Sequence, residues 1–178
     1  MRIIAGLYRG RPLVAPAGAT TRPTADRVRE ALFSMLTSRL GSFEGLHAAD
    51  LFAGSGALGL EALSRGAADC VFVEQDSAAL AAIKANASRL GLSPDIRQLA
   101  AERFASTRPL DLILIDPPYN TGLGQRALSH LAHRGGVASG AWASIETART
   151  EEIDVPGFTI DAERQFGKAR LTLLRYEG

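Results

Sequence analysis

Two short segments carry residue types that could do chemistry. The first is Asp116-Pro117-Pro118-Tyr119, which follows the apolar run LDLILI at 110–115. The diproline removes two N–H donors and stiffens the backbone, leaving carbonyls as acceptors beside the Asp116 carboxylate. Paired acceptors suit an amine with two N–H donors, and the Tyr119 ring can stack on a planar base. An exocyclic amine on a base is a weak nucleophile because its lone pair is delocalised into the ring. Accepting both its protons in hydrogen bonds frees that lone pair for an in-line displacement. Catalysis would then be positioning plus charge placement, with no covalent nucleophile.

The second segment is DLFAGSGALG at 50–59, where Gly54, Gly56 and Gly59 spell G-x-G-x-x-G and Glu74 follows at the end of the next apolar run. Taken literally this is a dinucleotide fingerprint, with the acid on ribose hydroxyls and the helix start on pyrophosphate. Asp50 changes the reading. A carboxylate just before the glycines would repel a pyrophosphate but attract the ammonium and sulfonium of S-adenosyl-L-methionine. A dehydrogenase would also need a substrate domain, and the rest of the chain is too short for one. The expected cofactor is therefore S-adenosyl-L-methionine, leaving as S-adenosyl-L-homocysteine. No metal is expected, since His47, His130 and His133 have no ligand spacing, and Cys70 is the lone cysteine.

Elements that could position these segments alternate from residue 46 onward. LHAADLF, DCVFVEQ, DIRQLA, LDLILID and ASIETA read as strands. ALGLEALSRG, SAALAAIKANASRLG and GQRALSHLAHR read as the helices between them. FTIDAERQF and ARLTLLRY, joined by Gly167-Lys168, predict an antiparallel terminal hairpin at one sheet edge. The fold class is α/β: a doubly wound, Rossmann-like, mostly parallel seven-stranded sheet. Before it, residues 2–16 predict a small β-hairpin and residues 24–36 a helix, with Thr24 as N-cap. At 178 residues the expectation is a single domain, 1–178, with a 1–44 extension on a 45–178 core. No segment approaches a membrane span or a signal peptide, so a cytoplasmic, monomeric protein is expected.

Charge is unevenly placed. Residues 1–40 hold seven Arg against Asp26 and Glu30, a net +5, whereas residues 41–178 are net −4. A basic arm on an acidic body predicts a polyanion contact at one end. Arg9, Arg11, Arg22 and Arg27, with Thr24 at the helix start, are the candidate RNA-binding residues.

The motifs together resemble the class I methyltransferases, and among them the bacterial 16S rRNA guanine-N2 methyltransferases of the RsmD type. The resemblance rests on RIIAG at 2–6, RGRPL at 9–13, RPTADRVREALF at 22–33, DLFAGSGALGLEALSRGA at 50–67, FVE at 72–74 and DPPY at 116–119. It implies methylation of a guanine N2 amine in small-subunit rRNA, on the subunit or an assembly intermediate. Asp50, Phe52, Ala53, Gly54, Ser55 and Gly56 would hold the methionyl part of the cofactor. Glu74 and Gln75 would hold the ribose, either the backbone at Ala100 and Ala101 or the Glu102 side chain would meet the adenine, and Asp116 would face the reacting methyl. Asp116, Pro117, Pro118 and Tyr119 would hold the base. DPPY alone fits an adenine-N6 methyltransferase equally well, and a non-catalytic RNA-binding module is the remote alternative.

Overall fold

The computed structural model describes residues 1–19 and 23–178, and the side chains of Pro23 and Thr24 lie outside that description. Seven strands form one sheet: β1 (His47–Leu51), β2 (Asp69–Glu74), β3 (Asp95–Gln98), β4 (Leu110–Ile115), β5 (Val137–Ala148), β6 (Phe158–Phe166) and β7 (Ala169–Tyr176). Their spatial order is 3-2-1-4-5-7-6. Strands β1 to β5 pair in parallel, and β7 is antiparallel to both β5 and β6. The order reverses between β1 and β4, so a crevice opens beyond their carboxyl ends.

Alternation along the strands sorts the core into two layers. Ala48, Phe72, Leu112, Leu114 and Trp142 pack with helices α1 (Pro23–Leu40), α2 (Ala57–Ser64) and α3 (Ser77–Arg89). Ala49, Val73, Ile113, Ile115 and Ile145 pack with α4 (Leu123–His133) on the other face. The uninterrupted apolar run of β4 is thus explained by burial on both faces. Helix α3 is bounded as its sequence requires: the Asp76 carboxylate caps Ala79 N–H at 2.8 Å, and Gly91 takes φ +70 just past the C-cap.

Two elements differ from the sequence expectation. The N-terminal hairpin contracts to one antiparallel bridge, Arg2 to Pro12, because bends and turns fill residues 5–10 and Gly6 and Gly10 take left-handed φ. Strand β5 starts at Val137 and not near Ala143, with a register break before Trp142 where Gly140 has φ +74. The Ala-Ser-Gly that precedes Trp142's neighbours carries no β-branched or aromatic signal, so this half of the strand is silent in the sequence.

The N-terminal segment is fastened to the glycine-loop helix by buried polar groups. The fully buried Glu61 carboxylate accepts from Ile4 N at 2.8 Å, Ala5 N at 3.0 Å and Arg65 Nε at 2.9 Å. Ser64 Oγ donates to Ala5 O, and a Cβ on Gly6 would lie 1.9 Å from Ser64 O, so only glycine fits there. Asn86, fully buried on α3, donates to Val14 O and Ser55 O and accepts from Val14 N. It braces the N-terminal segment against the glycine loop.

Removing Glu61 strands two backbone donors and a partly buried cation. Glu61→Ala should cost about 3 kcal/mol in urea unfolding and speed hydrogen exchange at Ile4 and Ala5. Unchanged stability with unchanged protection of those amides would contradict this fastening.

Candidate active site

The crevice holds a cavity of about 200 Å³ bounded by α1, the glycine loop and the ends of β4 and β5. Asp50, Asp116 and Glu146 all line it. Their convergence follows from strand parity. Asp50 is in register with Leu114, and Leu114 with Ser144, so Asp50, Asp116, Ser144 and Glu146 share the sheet face that carries α1 and α2. A larger depression of about 460 Å³ lies at the amino ends of β2 to β4, among Asp69, Cys70, Asp95 and Arg108. It is at the wrong end of a parallel sheet for a ligand site and contains neither motif.

Three carboxylates around one small cavity disfavour their own ionisation. Asp50 is buried, and that burial holds its carboxyl well above the ordinary range despite a 2.8 Å bond from Gly59 N–H; the charges of Asp116 and Glu74 add to the rise. Asp116 keeps accessible surface, but that surface opens into the cavity. Desolvation, followed by the Glu146 charge, pushes it up to about 7. Burial raises Glu146 as well, opposed by the bond from Tyr119 Oη to Glu146 Oε1. The cavity is anionic whenever these groups ionise, and its cationic lining side chain is Arg29.

Arg29 is 5% exposed. Its Nη2 donates to Arg2 O at 2.5 Å and to Asp26 Oδ1 at 3.3 Å, while its Nε is buried with no hydrogen-bond partner. An unpaired buried guanidinium donor beside a cavity fits an anionic ligand group.

The glycine loop is shaped by close packing. A Cβ on Gly59 would lie 2.5 Å from the Phe72 ring, so the third glycine lets α2 approach the sheet. Phe52 has φ +63 and Asn120 φ +59, the two non-glycine residues with left-handed φ among the described residues, and they begin the loop after β1 and follow Tyr119 respectively. Such backbone strain concentrates at ligand sites.

Of the residues expected at the cofactor, Asp50, Phe52, Ala53, Gly54, Ser55 and Asp116 line the cavity. Gly56 instead forms the N-cap of α2. Glu74 lies behind the loop, its carboxylate accepting from Gly54 N at 2.9 Å, Gln75 N at 2.8 Å and Asp76 N at 2.9 Å. Gln75, Ala100 and Ala101 sit beyond the carboxyl ends of β2 and β3, outside the cavity lining.

In the DPPY loop, Pro117 is buried against Gly124, where an added Cβ would lie 2.8 Å from its ring. The Pro118 carbonyl, expected to face outward as an acceptor, accepts from Thr121 Oγ1 at 2.7 Å. Tyr119 is 39% exposed at the mouth, and its hydroxyl is engaged by Glu146, a role its ring alone did not suggest. Glu146 and Arg29 were not read from the sequence as site residues.

Arg9, Arg11 and Arg27 are exposed and, among the described residues, have no ion-pair partner. Arg22 lies outside the described residues, as does the Thr24 side chain. Among the described residues no cluster of His, Cys, Asp and Glu could hold a metal, and no helix is long and apolar enough to cross a membrane.

The strand order, the glycine loop after β1 and an acidic DPPY loop after β4 define the class I methyltransferase fold. The chain belongs to the family described as Conserved hypothetical protein 95, whose model matches residues 1–175. It is 39% identical over 154 residues to ribosomal RNA small subunit methyltransferase D of Escherichia coli K12, covering 83% of this chain and 74% of that one. The Haemophilus influenzae protein of the same name is 35% identical over 175 residues, covering 94% and 89%. A solved Escherichia coli structure named as a methyltransferase superposes with a TM-score of 0.87 at 32% identity, covering 100% of this chain and 98% of that one.

The Asp116 shift can be tested through its neighbour. Glu146→Gln removes a like charge, so Asp116 should titrate lower than about 7, nearer an ordinary carboxylate. Carboxyl-carbon NMR checks this, and an unmoved Asp116 titration would show that Glu146 exerts no field there.

Proposed function

We propose that this protein transfers a methyl group from S-adenosyl-L-methionine to the N2 amine of a guanine in small-subunit rRNA, in the cytoplasm, on the subunit or its assembly intermediate. The observation that carries this reading is the cavity lined by the carboxyl groups of Asp50 and Asp116, whose ionised forms an entering positive charge would favour. It suits a ligand with an ammonium and a sulfonium, and it opposes a pyrophosphate. The rRNA substrate is drawn from the relatives' names.

The cavity's own donors and acceptors fit that cofactor. Asp50 would hold the ammonium, the Arg29 guanidinium the carboxylate, and the backbone of Phe52 to Ser55 the chain between. Glu74 Oε2 accepts one bond, from Gly54, and keeps a lone pair for a ribose hydroxyl. Gln75, Ala100 and Ala101 lie on the side where the adenine would extend. The bound cofactor supplies an electrophilic methyl on its sulfonium.

The chain's residues supply orientation and proton handling. Asp116 accepts one N2–H, and the Pro117 carbonyl, unlike that of Pro118, is the backbone acceptor for the other. As the N–C bond forms and the S–C bond breaks, the amine gains positive charge, which the Asp116 carboxylate offsets before taking the departing proton. Tyr119 at the mouth offers its ring to the base. Arg9, Arg11 and Arg27 offer phosphate contacts away from the acidic body.

The direct test is methyl transfer to small subunits from a strain lacking the enzyme, followed by nucleoside analysis. N2-methylguanosine is the expected product. Asp116→Ala should lower the rate by at least about a hundredfold with S-adenosylhomocysteine affinity retained. N6-methyladenosine as the product would instead favour the adenine reading.

Asp50→Asn and Arg29→Gln should each weaken S-adenosylhomocysteine binding about tenfold or more in calorimetry. Neither should change binding of 5′-methylthioadenosine, which lacks the ammonium and the carboxylate. Equal losses for both ligands would mean that the variants merely disturb the fold. Arg9→Ala with Arg11→Ala should weaken subunit binding and reduce the log–log salt slope by roughly 1 to 2, with the melting temperature unchanged. Normal binding at every salt concentration would place the RNA surface elsewhere.

A further inference from the structure

Glu146 sits where a second base contact would fall. Its parallel partner strand ends at Ile115, which pairs with Ile145, so Asp116 and Glu146 leave adjacent strands side by side at about 4.8 Å strand spacing. Both line the same cavity. The Tyr119 hydroxyl donates to Glu146 Oε1, which orients the carboxylate and leaves Oε2 for another donor. Burial raises the Glu146 carboxyl and that bond opposes the rise; once ionised, Glu146 only accepts. Asp116 and Glu146 together therefore present a pair of neighbouring acceptors.

The bases differ sharply against such a pair. Guanine presents two adjacent donors on its Watson–Crick edge, the N2 amine and N1–H. Adenine and cytosine present an amine beside a ring nitrogen that accepts, so one of the two carboxylates would face a lone pair. We propose that Glu146 is a specificity-determining residue that accepts guanine N1–H while Asp116 accepts the N2 amine. The proposal rests on the reading that the target base enters at the DPPY loop. It explains why this loop, shared in form with adenine chemistry, would act here on guanine. It also gives the Tyr119 hydroxyl a purpose, which is to hold Glu146 as an acceptor.

2-Aminopurine separates the two contacts, because it keeps the N2 amine but has an accepting N1. The target nucleotide is first mapped by mass spectrometry on subunits from the deletion strain. Small-subunit RNA is then ligated with guanine or 2-aminopurine at that position, assembled, and methylated by wild type, Glu146→Gln and Asp116→Ala. The wild type should methylate guanine at least about tenfold better than 2-aminopurine. Glu146→Gln, whose amide can donate to N1, should shrink that ratio about tenfold or more, with S-adenosylhomocysteine binding retained. A wild-type ratio near one, or a ratio unchanged by Glu146→Gln, would overturn the assignment of Glu146. If Glu146→Gln does not fold, the wild-type ratio alone decides. Persistent transfer by Asp116→Ala would instead sink the reading that the base enters at this loop.

Discussion

Like-charge crowding on one sheet face is the constraint around which this molecule is arranged. Asp50, Asp116 and Glu146 end up on the same side of β1, β4 and β5 because side chains alternate along strands and these strands are in parallel register. Water is largely excluded from Asp50, and the Glu146 charge adds to the desolvation that raises Asp116. Such an arrangement is unfavourable for the bare fold. It becomes favourable when positive charge enters, and the proposed cation-binding and amine-accepting roles would use that same imbalance.

The rest of the structure holds this face in place and closes it. Helix α1 covers the cavity from the N-terminal side and contributes Val28, Arg29 and Leu32 to its wall. Its docking depends on buried polar contacts: Glu61 on the amides of Ile4 and Ala5, Asn86 on Val14 and Ser55, and Arg29 on the carbonyl of Arg2. Asn86 joins the N-terminal segment to the glycine loop directly, so the two share one brace. The same extension carries the exposed Arg9 and Arg11, so the proposed RNA contacts and a wall of the cavity belong to one segment of the chain.

Much of this was legible in the chain because local and global signals agreed. Alternating strand and helix patterns, the apolar run of β4 and the Gly91 stop predicted the sheet, and Asp50 and Asp116 stood next to recognisable loops. Glu146 was hidden because an acid in an alternating strand reads as a solvated face. Its parity with the buried Trp142 and Ser144 was the available signal, obscured by a strand start of Ala, Ser and Gly. Arg29 flanks the apolar stripe of α1 between exposed Arg27 and Glu30, and its burial arises only when the Arg2 carbonyl docks on it. The engagement of Glu74 by three backbone amides is a loop conformation, which no residue spacing encodes. The N-terminal hairpin shrank to a single bridge for a similar reason: glycine turns and contacts to Ser64 determine its path more than strand pairing does.

A crystal structure of the protein with S-adenosyl-L-methionine tests the central claim most directly, since it shows where positive charge meets the three carboxylates. The account predicts the ammonium within hydrogen-bonding distance of Asp50, the carboxylate on Arg29, and the sulfonium methyl facing Asp116. A methyl group turned away from Asp116, or a methionyl chain lying outside the space between Asp50 and Arg29, would contradict it.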